Sequence, residues 1–134
     1  MTTCARQRDS CVLFETRYFW AVFTSKDPET TKKLKAIFEK AETTFASSIS
    51  IYEIYKQTVE HDDRTVAQLR TRTISNEYTI VDVSAEIAEE GARISHRLRV
   101  PMADSLIMAT SKSLRVSCVT DDPHFTEVKR VWIR

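Results

Sequence analysis

Five acidic side chains have the types and spacing to do chemistry: Glu15, Glu53, Asp104, Asp121 and Asp122. Glu15 directly follows the apolar run Cys-Val-Leu-Phe at 11–14, and Asp121 and Asp122 follow the run Val-Ser-Cys-Val at 116–119. Glu53 and Asp104 fall in the first turns of helices. Each has an ordinary reading when taken alone. Glu53 closes an S-x-x-E capping box opened by Ser50. Asp104 is a first-turn acid favoured by the helix dipole, although it borders the apolar face carrying Ile107 and Met108. Asp121 and Asp122, ahead of Pro123, suit a turn. The joint case is different. Like charges brought to one place repel, and stability gives no reason to collect them. A divalent cation does, because Mg²⁺ and Mn²⁺ take oxygen ligands from carboxylates.

Other chemistries lack their residues. One glycine in 134 residues excludes the Gly-rich phosphate loops. No CxxC or HxxxH spacing joins the three cysteines to the three histidines, which argues against zinc. No GxSxG elbow is present. His124, beside the acidic turn, is read chiefly as a turn residue.

The elements that must carry these acids follow from periodicity. Residues 11–14 are a short continuous apolar run, the mark of a strand buried on both faces. A bulky aromatic helix holds Tyr18, Phe19, Trp20 and Phe23. Asp27-Pro28 starts a helix over 28–42, with Asp as cap and Pro at its first position. Strands are predicted at 44–49, 78–83, 116–119 and 131–133. Helices are predicted from Ser50 to about 60 and over 62–74, 85–98 (capped by Ser84) and 102–114. Short apolar strands alternating with helices pair in parallel and are covered on both faces. The expected fold is therefore α/β, a three-layer α/β/α sandwich, with residues 1–10 as a polar lead-in and 11–134 as one domain. In such sheets sites form beyond the carboxyl ends of the strands, where all five acids fall.

Composition narrows the setting. Twenty Lys and Arg against 19 Asp and Glu give a net charge of +1, so bulk charge does not hold nucleic acid, although a local site still can. No apolar run reaches the ~18–20 residues of a membrane span. No apolar signal core follows the first charges. Three cysteines without tight spacing, Cys4, Cys11 and Cys118, predict free thiols in a reducing, cytoplasmic setting.

The segments VLFETRYF (12–19), SSISIYEIYK (47–56), RVPMADSLIMAT (99–110) and CVTDDPHF (118–125) resemble those of the PIN domain family, most closely the VapC-like members of archaeal type. The resemblance covers nearly all the chain after residue 10. It implies a parallel sheet of order 3-2-1-4-5 and metal-dependent RNA cleavage with Mg²⁺ or Mn²⁺. By resemblance Glu15, Glu53, Asp104 and Asp122 are the catalytic, metal-holding acids. Asp121 fills a variable position and adds a further metal ligand, and Thr16 and Thr120 support the acids through their hydroxyls. One departure stands out: Glu15 replaces the family's aspartate. The extra methylene can shift an ion by about an ångström in a site that demands oxygens at ~2.1 Å. A shift on that scale can cost ~10²-fold in rate.

Arg17, next to Glu15, and Arg97 and Arg99, upstream of Asp104, are candidate substrate-binding cations. The expected function is an endoribonuclease with an RNA substrate, the toxin of a toxin–antitoxin pair, working as a homodimer and neutralised by an antitoxin protein. The alternative is a PIN-fold RNA-binding or protein-interaction module whose catalysis Glu15 has weakened.

Overall fold

The computed structural model describes residues 10–132. Five strands form one parallel sheet: β1 (Cys11–Phe14), β2 (Thr43–Ser47), β3 (Thr79–Val81), β4 (Ser117–Thr120) and β5 (Arg130–Trp132). Their order is β3-β2-β1-β4-β5, as the resemblance implies. Six helices connect them: α1 (Thr16–Thr24), α2 (Pro28–Lys40), α3 (Ser48–His61), α4 (Arg64–Glu77), α5 (Ala85–Leu98) and α6 (Met102–Leu114).

The layers follow from strand alternation, which sends successive side chains to opposite faces. In β1, Cys11 and Leu13 join a core with Ile87, Ile94, Ile107 and Met108 of α5 and α6. Val12 and Phe14 join a second core with Tyr18, Leu34, Ile54 and Ile74 of α1 to α4. All four β1 side chains are buried, so the strand reads as an unbroken apolar run rather than an alternation. The one glycine has a packing reason. A Cβ on Gly91 would lie 2.7 Å from Leu106 Cδ2, so its absence lets α5 close on α6.

Several predicted boundaries hold. Asp27 caps α2 through the Thr30 amide, with Pro28 at the first position, and Ser84 caps α5. Others are corrected. Helix α3 starts at Ser48 with Ser47 as its cap, so Ser50 and Glu53 are not a capping box. Strand β2 accordingly ends at Ser47. Asp63 caps α4, which runs on to Glu77. Ile133, predicted as strand, lies outside the described residues. Cys118 is a free buried thiol. Cys11 is disulfide-bonded, which corrects the expectation of free thiols at that position, and Cys4 lies outside the described residues. Among the described residues no helix is long and apolar enough to cross a membrane.

This topology fixes where a site can form. From β1 the chain winds to β2 and β3 on one side, then crosses to β4 and β5 on the other. Strands β1 and β4 pair in parallel, with Phe14 opposite Val119. Past their carboxyl ends β1 turns into α1 while β4 runs into the 121–129 loop that leads to β5, and a crevice opens between the two.

Candidate active site

Glu15 stands at that crevice. Its backbone continues the ladder, donating from N to the Val119 carbonyl at 3.1 Å, and the chain then turns into α1. Its side chain is only 2% exposed. At the end of β4, Thr120 donates from Oγ1 to Glu15 Oε1 at 2.7 Å and accepts the Asp122 amide at 2.9 Å. A single hydroxyl therefore ties the end of β1 to the turn after β4. On the other side, Thr16 donates to Glu53 Oε1 at 2.5 Å. That proton is then committed, so the Ser50 hydroxyl, 3.0 Å away, is the donor to Thr16. Each threonine hydroxyl thus bonds one acid, Thr120 to Glu15 and Thr16 to Glu53.

Asp104 enters from the first turn of α6. Its Oδ2 lies 3.3 Å from His124 Nδ1, and the same nitrogen lies 3.3 Å from Asp122 Oδ1. The His124 amide also donates to Asp122 Oδ1 at 2.9 Å, which folds the turn and holds its ring between two acids. Asp121, mostly buried, pairs with Arg17, whose Nη1 is 3.4 Å from both its Oδ1 and its carbonyl, and it is not among the residues lining the acidic cleft.

Glu15, Thr16, Arg17, Glu53, Asp104 and Asp122 thus line one cleft of about 290 Å³, together with Trp20 and Gln57. Its size is not what marks it. A cavity of about 630 Å³ lies between α5 and α6, but its walls are mainly apolar and carry no acid. Arg99 lines that larger cavity, and Arg97 is bound by two 2.7 Å hydrogen bonds to Glu127, so neither is among the residues lining the acidic cleft.

The electrostatics are those of acids crowded out of water. Burial lifts the Glu15 carboxyl from its ordinary 4.5 to about 7; the Thr120 hydroxyl and the Arg17 amide oppose this, and Asp122 and Asp104 add to it. Burial also raises Asp104, with Asp122 reinforcing it, and His124 and Arg17 recover only part. Glu53 is raised by burial and by Asp104, against the pull of Thr16 and Lys56. Each acid would gain from a positive charge placed among them.

The donor set suits a hard divalent ion. Ligand atoms of Asp104, Asp122 and His124 all lie within 4.8 Å of one another, and the Glu15 and Glu53 carboxylates share the same cleft. Such a set offers mostly oxygens and a single nitrogen, which fits Mg²⁺ or Mn²⁺ better than a thiolate-seeking metal. Of the residues that sequence reasoning undervalued, Ser50 was hidden by its capping-box spacing. His124 was hidden in a turn, although its place one residue past D-D-P was a signal.

Comparisons with known proteins agree with this geometry. A toxin–antitoxin complex from Klebsiella pneumoniae contains a chain 20% identical, with TM-score 0.73, covering 92% of this chain and 98% of that one. VapBC2 from Rickettsia felis, bound to a promoter DNA fragment, matches with TM-score 0.74 at 14% identity over 91% of this chain and 98% of that one. The sarcin-ricin loop cleaving toxin VapC20 of Mycobacterium tuberculosis matches with TM-score 0.69 at 12% identity over 80% and 86%. At these identities the likeness is one of fold. No curated protein matches the chain by sequence. The PIN domain profile, however, matches residues 12–131, from β1 into β5 and through every acid of the cleft; the chain belongs to the PIN domain family.

Proposed function

We propose that this protein is a metal-dependent endoribonuclease that hydrolyses RNA phosphodiester bonds at the β1–β4 crevice. The carrying observation is the cleft in which Glu15, Glu53, Asp104 and Asp122 converge from four separate elements, with Thr120 and Thr16 fixing two of them. Glu15, Asp104 and Asp122 would hold Mg²⁺ or Mn²⁺, with Glu53 in the same cleft, while Asp121, paired with Arg17, stands outside it. When bound, such an ion supplies Lewis acidity toward water and toward the scissile phosphate. The chain's own contribution is positional. Thr120 keeps Glu15 from turning away, and His124 holds Asp104 and Asp122 at one spacing. Arg17, 53% exposed at its side chain, offers a cation at the mouth for a neighbouring phosphate.

The toxin role is part of the same reading. It is supported by structural neighbours that are toxins in complexes with antitoxins or bound to DNA. An antitoxin protein would then act by covering the acidic mouth, and a homodimer is the expected assembly.

One observation favours a second reading, an RNA-binding module with weakened chemistry. The Glu15 carboxyl is almost fully buried and spends one oxygen on Thr120. A panel of structured and single-stranded RNAs separates the two. The expected result is cleavage by the wild type with Mn²⁺ or Mg²⁺ and none in EDTA. Failure to cut any substrate with either metal overturns the nuclease reading. An inert wild type whose Glu15→Asp variant gains activity, by about 10²-fold, makes the module reading the better one.

A further inference from the structure

We propose that Trp20 forms a base-stacking subsite for single-stranded RNA at the edge of the acidic cleft. This rests on the nuclease reading and adds where the substrate's bases are held. Helix α1 places Thr16, Trp20 and Thr24 four residues apart on one stripe. Thr16 lies in the cleft, and Trp20 follows about 6 Å further along the helix axis. The indole lines the acidic cleft and also an adjoining groove of about 430 Å³. Arg17 is the other residue common to both, so the two spaces meet at an aromatic ring and a cation.

The indole packs against the second core but is not enclosed by it. Tyr18 and Phe19 take the buried positions of α1, at 2% and 1% exposed, while Trp20 remains half-buried. Its ring is nonetheless held in place. The Arg70 guanidinium lies over one face of the indole, 5.8 Å from its centroid, and 5.5 Å from the centroid of Phe23, so a base has only the opposite face to stack on. Arg70 is itself fixed by donating to Thr58 Oγ1 at 3.2 Å. His61 meets the indole edge-on with centroids 5.4 Å apart. A ring immobilised before its ligand arrives loses little freedom on binding. Aromatic platforms interleaved with cations are the general means of holding single strands, because every base presents a π-face. The groove's other walls are Ala21, Thr24, Ser25, Thr30 and Asp121, which add no large apolar side chain to anchor a protein partner.

The test uses the full chain in EDTA, which prevents cleavage, with two labelled eight-nucleotide probes. One is oligoadenylate, and the other is a ribose-phosphate chain of equal length without bases. Fluorescence anisotropy is expected to show the wild type binding oligoadenylate about tenfold tighter. Trp20→Ala is expected to bind both alike, with its affinity for the abasic chain unchanged. Trp20→Phe is expected to retain most of the preference, which also serves if the alanine variant melts early. A wild type that treats the probes alike, or binds neither, overturns the subsite. So does a Trp20→Ala protein that keeps the preference, even if it loses binding to a protein partner. Cleavage by the wild type with Mn²⁺ at a KM unchanged in Trp20→Ala overturns the subsite and leaves the nuclease reading standing. Absence of wild-type cleavage of any RNA with Mn²⁺ or Mg²⁺ overturns the nuclease reading alone, and the base preference measured in EDTA still decides the subsite.

Discussion

Asp104→Asn is expected to lower metal-dependent RNA cleavage by at least ~10²-fold while leaving the metal-free protein as stable or more so. The loss follows from removing one pre-placed charge at the reacting centre, a change that costs about 10²–10³ in rate where such groups have been deleted. The stability gain follows from the surroundings of Asp104. Burial and Asp122 both disfavour its charged form, and together they outweigh the help of His124 and Arg17. Asparagine keeps the shape, removes the repulsion and still offers an oxygen to His124. The two effects therefore run in opposite directions, which a general folding defect does not produce. Thermal melts supply a third reading. In the wild type about 5 mM Mn²⁺ should raise the Tm, since an ion that binds only the folded state stabilises it by mass action. In Asp104→Asn most of that rise should vanish. A variant that cuts RNA at the wild-type rate, or that keeps the full Mn²⁺ shift, removes Asp104 from the site.

Why the acids were visible in the sequence, and some of their partners were not, is a matter of range. The strand Cys11–Phe14 and helices Ala85–Leu98 and Met102–Leu114 were read to the residue, because each rests on a local pattern with a local stop. Strands paired through helical crossovers lie parallel, so the acids after β1 and β4 had to fall on one edge. The capping-box reading of Ser50 and Glu53 failed for an instructive reason. Residues three apart also share a helix face. Once Ser47 had taken the cap, the pair was free to face Thr16 from inside the helix. Arg97 was misjudged by range as well. Its partner Glu127 lies 30 residues on, in the segment between β4 and β5, and nothing local in the sequence ties the two. In the aromatic run at 18–20, side-chain type alone gives no order of burial. Only the packed neighbours decide that Tyr18 and Phe19 go inward while Trp20 borders the cleft.

Glu15 carries the other large expectation, a pH-dependent stability that Glu15→Gln should flatten. In the folded, metal-free protein its carboxyl is raised from 4.5 to about 7, chiefly by burial. Between those two values the folded state holds a proton that the unfolded chain has released. The sign follows: this contribution is fully present below about pH 4.5 and is lost as pH rises through about 7. Asp104 and Glu53 are raised too and act in the same direction. Glu127, lowered to about 2 by its pairing with Arg97, and Asp27, lowered by Thr30, act oppositely, but only as pH falls below the ordinary carboxylate range. The windows are separate, so a decline from pH 5 to 7.5 reports the cleft. For Glu15 alone the decline is about 3 kcal/mol at most, taking about 1.4 kcal/mol per pKa unit. Urea midpoints in EDTA at pH 5 and pH 7.5 should therefore differ less in Glu15→Gln than in the wild type, with the variant the more stable of the two at pH 7.5. Equal slopes in both proteins would show that the Glu15 carboxyl does not carry the pH dependence. Metal reverses the trend for the wild type, because an ion entering the cleft must displace that proton. Mn²⁺-dependent stabilisation should thus grow between pH 6 and pH 8, over the same range in which the metal-free protein loses stability.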